Sequence, residues 1–68
     1  MKIQLNGESR EFADALTVES LVSELDLEPT RVAIEVNLNV VRRNDWATTS
    51  LSDGDRVEIV QFVGGGGE

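Results

Sequence analysis

The sequence contains no cysteine and no histidine. The first absence rules out disulfides and a thiol nucleophile, the second rules out imidazole acid–base chemistry, and together they remove the ligands of an ordinary zinc site. Positive charge is scarce as well: 6 Lys and Arg stand against 13 Asp and Glu, for a net charge of -7. Such a chain repels phosphate backbones and anionic lipid and favours a partner with a basic face, so neither nucleic acid nor a membrane is expected among its partners. No hydrophobic run is long enough to cross a bilayer, and the opening MKIQLNGESR lacks the apolar stretch of a signal peptide, which makes the cytoplasm the expected location. At 68 residues there is room for one domain. A chain of this size buries only about 60% of its unfolded surface, so a large internal active site is not expected.

What is present falls into a clear order. Lys2 to Leu5 alternate polar and apolar, Asn6-Gly7 supplies the two positive-φ positions of a type I′ turn, and Glu8 to Ala13 returns with Phe12, which predicts a β-hairpin. In ALTVESLVSELDL the residues Val18, Leu21, Val22 and Leu25 share one helical face. Thr17 is the expected N-cap, Leu16 and Leu21 stand at the positions of a hydrophobic staple, and Pro29 is the expected stop. Beyond it, Val32, Ile34 and Val36 line one face of a strand that turns at Asn37 to Asn39 and returns through Val40 and Val41. The stretch RRNDWATTSLSDGD shows no sustained period and reads as an irregular connection closed by a tight turn at Asp53-Gly54-Asp55. A last strand follows in RVEIVQFV.

Hairpin, helix, hairpin and final strand make an α+β domain: one sheet of four to five strands with a single helix across one face. Ile3, Leu5, Leu21, Val22, Leu25, Val32, Ile34, Val57 and Ile59 are the expected core, and Trp46 the expected plug at its edge. If Val57 and Ile59 face the helix, alternation sends Glu58, Val60 and Phe62 to the opposite face, which one helix cannot cover. Those three residues are the candidate docking patch. Arg42-Arg43 reads as a solvated pair, and Leu38 either projects as a contact residue or folds back onto the sheet. Asp53, Asp55 and Glu58 lack the further ligands a cation needs, so no metal is expected.

The domain is drawn at 1–63 and the tail at 64–68, where Gly64, Gly65, Gly66 and Gly67 precede Glu68. Glycine lacks a Cβ and loses more backbone freedom on ordering than any other residue, so four in a row build a thin, mobile strap. Such a tail is either a plain linker or the working part.

The hairpin with NG, the helix TVESLVSEL, the segment AIEVNLNVVRRNDW, the DGDRVEIVQFV strand and the glycine terminus together resemble the ubiquitin-like β-grasp sulfur carriers of thiamine biosynthesis, the ThiS type. The likeness covers essentially the whole chain. It implies a β-grasp fold and a protein that is a reactant and not an enzyme. In such carriers a terminal glycine, here Gly66 or Gly67, is adenylated and converted to a thiocarboxylate whose sulfur enters the thiazole. The implied partners are a ubiquitin-activating-like adenylyltransferase of the ThiF type, a thiazole synthase of the ThiG type and a sulfur donor protein. ATP is consumed by the activating enzyme, and no cofactor is expected to stay bound. In the resembling proteins the face of Val60 and Phe62 is also where activating enzymes bind. The resembling carriers finish near Gly65-Gly66, and Gly67 and Glu68 depart from that pattern, so a C-terminal trimming peptidase is a further expected partner, with Gly66 favoured as the mature end. Two other functions share this architecture: a sulfur carrier for another pathway such as molybdopterin synthesis, and a ubiquitin-like interaction module or modifier. The short length and the VEIVQFV ending favour the thiamine type.

Overall fold

The computed structural model describes residues 1–62, so the glycine tail, its expected mobility and the domain boundary drawn at 63 lie outside the described residues. Strand β1 (Lys2–Leu5) and strand β2 (Glu8–Glu11) form the first hairpin, with Lys2 opposite Glu11 and Leu5 opposite Glu8. Asn6 and Gly7 between them have φ of 48° and 84°, the pair of left-handed positions that a two-residue type I′ turn requires.

Helix α1 spans Val18–Glu24 and begins where expected: the Thr17 hydroxyl accepts from the Ser20 N–H at 3.1 Å, and the Ser20 hydroxyl accepts from the Thr17 N–H at 2.8 Å. This reciprocal box satisfies two helix-end donors. Leu16 and Leu21 are both buried, in keeping with the staple. The C-terminus differs from the sequence expectation. The helix ends at Glu24, well before Pro29, because Asp26 turns left-handed at φ 57° and closes the end with bonds from Asp26 N to the Ser23 carbonyl (3.0 Å) and from Leu27 N to the Val22 carbonyl (3.1 Å). That is a Schellman ending made with aspartate where glycine is usual, and it leaves Pro29 free to open a short 3-10 helix, Pro29–Arg31.

Strand β3 (Val32–Val36), strand β4 (Asn39–Val41) and strand β5 (Arg56–Gln61) complete a five-stranded sheet in the order β2-β1-β5-β3-β4. β5 runs parallel to β1 and antiparallel to β3, so the sheet is mixed and the last strand in sequence is its centre. The connection from β4 to β5 is not wholly irregular: Arg43–Thr48 forms a second 3-10 helix. Its Trp46 is only 4% exposed and donates its indole N–H to the Val41 carbonyl at 3.0 Å, the edge plug expected of it. The core between α1 and the sheet holds Ile3, Leu5, Leu21, Val22, Val32, Ile34 and Val57 as expected, together with Leu16, Val18, Trp46 and Leu51. Leu25 and Ile59 are half-buried and pack against it.

Candidate functional site

The site is built around β5 because that strand leads into the glycine tail. Both flanks of β5 are held by ladder bonds, and two asparagines add side-chain bonds to its backbone. On the β1 side, Asn6 accepts from the Ile59 N–H at 2.7 Å and donates to the Ile59 carbonyl at 3.2 Å, so its amide stands in for a further residue of the neighbouring strand. On the β3 side, Asn37 accepts from the Arg56 N–H at 3.0 Å and donates to the Asp55 carboxylate at 3.0 Å. The turn before β5 is equally committed: Asp53 accepts from the Lys2 N–H at 2.6 Å, Asp55 accepts from the Ser52 N–H at 2.8 Å, and Gly54 takes φ 88°. The aspartates of the DGD motif therefore serve backbone donors. Among the described residues no group of three or more potential ligands is placed to hold a metal.

The face of the sheet turned away from α1 carries the apolar surface. Val60 is 57% exposed and Phe62 54%, in agreement with the alternation that sends Val57 inward. The structure extends this surface beyond the sequence expectation. Val40 on β4 is 68% exposed, and Leu38 in the β3–β4 turn is 73% exposed, projecting instead of folding back. Register explains the grouping: Val60 lies opposite Ala33, and Val40 lies opposite Glu35, which in turn lies opposite Glu58. The patch of Glu58, Val60 and Phe62 is thus continuous with Ala33, Glu35 and Val40 across three strands. The period of two in β3 already places Ala33 and Glu35 on the outer face, but which residues of β5 and β4 they meet depends on pairing, which the sequence pattern leaves open. Phe62 is tied at the strand's end by its N–H, which donates to the Arg31 carbonyl at 2.8 Å. Arg42 and Arg43 are exposed.

A five-stranded mixed sheet grasping one helix, with its central strand followed in sequence by a glycine run, defines a ubiquitin-like β-grasp domain. The model of the ThiS family matches residues 3–66. The chain belongs to that family. It is 35% identical over 65 residues to the sulfur carrier protein ThiS of Bacillus subtilis, covering 94% of this chain and 98% of that one. It also resembles the crystal structure of the thiamine biosynthesis protein ThiS from Geobacter metallireducens, with a TM-score of 0.84, 35% identity, and coverage of 97% of this chain and 100% of that one. The thiazole synthase of Paramagnetospirillum magneticum is 44% identical over 68 residues, which are all of this chain but only 21% of that protein. The chain thus spans about a fifth of the length of the thiazole synthases it matches. Among the described residues no helix is long and apolar enough to cross a membrane.

Proposed function

We propose that this chain carries sulfur for thiazole formation as a thiocarboxylate on Gly66. The Gly66 carboxylate attacks the α-phosphorus of ATP on a ThiF-type activating enzyme, pyrophosphate leaves, and the acyl-adenylate forms. A donor protein then supplies sulfur at the sulfide level, which adds to the carbonyl carbon as AMP leaves and so forms the thiocarboxylate, and a ThiG-type synthase takes the sulfur. ATP is consumed, and no cofactor stays bound to the carrier. Gly64 and Gly65 give the strap a cross-section of bare backbone, so the carbonyl can enter a narrow channel and remain open to attack. Where residues follow Gly66, a peptidase must free its carboxyl. The observation that carries this reading is the family match running through Gly66, directly beyond the central strand of the sheet. The likeness to thiazole synthases supports such a synthase as the acceptor.

Glu58, Val60 and Phe62 dock the activating enzyme in this scheme. The support is their exposure on the strand that leads into the tail, where a partner can bury apolar surface without disturbing the core. The test compares ATP–pyrophosphate exchange for chains ending at Gly66, Gly67 and Glu68 with one activating enzyme. One residue of extended chain spans about 3.3 to 3.6 Å, comparable to the separation of reacting atoms, so the Gly66 end is expected to exchange fastest and the Glu68 end slowest. Equal rates for all three would overturn the assignment. In the product, intact mass should rise by the exchange of one oxygen for sulfur.

A further inference from the structure

Glu35 and Glu58 stand directly opposite each other on the outer face, in adjacent antiparallel strands at the middle of the sheet. Backbone bonds join Phe62 N to the Arg31 carbonyl and Asn37 N to the Arg56 carbonyl, and because hydrogen-bonded pairs alternate, the Glu35/Glu58 pair is one of them, with Cα atoms about 5.5 Å apart. Like charges in that position repel and weaken the sheet. Nothing in the described residues relieves them. The only ion pairs there are made by the Met1 amine, with Glu11 and Asp14, and neither the Glu35 nor the Glu58 carboxylate accepts a hydrogen bond. Arg56, two residues before Glu58 on the same face, forms no ion pair with either. Exposed apolar side chains adjoin the two carboxylates: Val40 lies across from Glu35 on β4, and Val60 lies two residues beyond Glu58 along β5.

We infer that this pair is a receptor for one basic side chain of the docking partner, a guanidinium or ammonium group seated between Glu35 and Glu58 while apolar surface covers Val40, Val60 and Phe62. The inference rests on the proposed docking of the activating enzyme to this face and assigns the chemistry of its contact. A planar guanidinium suits two carboxylates at this spacing because it presents donors in a fixed fork. Burial by the apolar rim strengthens the attraction by excluding water. The repulsion that the free domain tolerates becomes an attraction in the complex, so the pair weakens the fold and favours the partner at once. A partner that presents a neutral or acidic group here meets two unpaired carboxylates, which makes the pair a determinant of specificity.

The test sets stability against affinity. Melting temperature of the free chain and its dissociation constant with the activating enzyme of the same organism, by calorimetry at low and high salt, are measured for Glu35→Gln, Glu58→Gln, the double variant and Phe62→Ala. Relief of repulsion should raise the melting temperature of each single glutamine variant by about 1 to 4 °C. Affinity should move the other way, falling at least about fivefold at low salt. In the double variant the affinity should depend less steeply on salt than in the parent, because one screened contact is gone. Unchanged or tighter binding by the double variant, with Phe62→Ala still weakened, overturns the basic receptor while leaving the docking face in place. Unchanged binding by Phe62→Ala and all glutamine variants overturns both.

Discussion

The two β-hairpins close with the same backbone and different chemistry. Asn6-Gly7 and Asn37-Leu38 both have positive φ at each residue, 48° and 84° in the first turn and 52° and 72° in the second. Both asparagines tolerate the left-handed region and both reach the backbone of β5, from opposite sides. The second positions diverge. Glycine adopts φ 84° without cost, whereas leucine at φ 72° crowds its Cβ against the following carbonyl. Leu38 gains nothing inside the domain in return, since 73% of it is exposed. The first turn is thus fitted to the fold alone, and the second retains a strained, outward apolar residue beside the outer face of the sheet, the pattern expected where a surface rather than a turn sets the residue.

The largest effect should come from cutting the asparagine ties. Asn6→Ala removes two side-chain bonds to Ile59, and at about 0.5 to 1.5 kcal/mol for each the loss is about 1 to 3 kcal/mol, measurable by urea denaturation. Asn37→Ala should cost a similar amount, because it also forfeits two side-chain bonds. An unmoved midpoint for both would remove the idea that these amides anchor β5.

Next in size is an exchange of the second positions. Gly7→Leu should destabilise by about 1 to 2 kcal/mol through backbone strain alone, since a Cβ there meets nothing within 4 Å. Leu38→Gly should stabilise by about 0.5 to 1 kcal/mol, the strain relieved less the entropy that glycine adds to the unfolded chain. Thermal melts decide it: a Leu38→Gly domain that melts lower than the parent would show that the leucine contributes to the fold. Docking of the activating enzyme should weaken in the same variant, by about twofold or more, if the exposed leucine belongs to the contact.

The smallest effect separates the hairpins by pH. The Met1 amine beside β1 donates to the Phe12 carbonyl at 2.6 Å and lies 3.1 Å from the Glu11 carboxylate. The hydrogen bond with Glu11 raises its pKa above 8.0, against a smaller opposing effect of desolvation, and the charges of Glu11 and Asp14 add to the rise. A raised pKa in the folded state means the stabilisation is complete below pH 8.0 and is lost as pH climbs through the folded value. Melting temperature should therefore slip by a degree or so above pH 8, and acetylation of the amine should abolish that slope. A slope that survives acetylation would locate the titration elsewhere.

These turns also show what the sequence exposes to reading. Asn-Gly announces its conformation because both residues favour positive φ, but Asn-Leu announces only a turn, and its left-handed leucine follows from tertiary closure of β3 on β4. Asp26 hid the helix end for the same reason: the first strong breaker in the sequence is Pro29, whereas the chain had already turned at a residue that is only tolerant of that geometry. The 3-10 helix around Trp46 has no period of its own and is held by packing of the indole. Strand alternation, in contrast, correctly assigned both faces of β5, so Val60 and Phe62 were legible as exposed residues. The Glu35/Glu58 juxtaposition was not, because it depends on the register of two strands that are distant in sequence.

The central position of β5 has a mechanical consequence. A partner that draws the glycine tail into a channel pulls along the axis of β5, and the load passes to β1 on one side and β3 on the other. Ladder bonds lie across that direction, so they are loaded in shear and share the force, whereas an edge strand pulled outward would peel one bond at a time. A pull on the tail is thereby spread over bonds on both sides of β5 at once, like the load on a handle fixed through the middle of a plate.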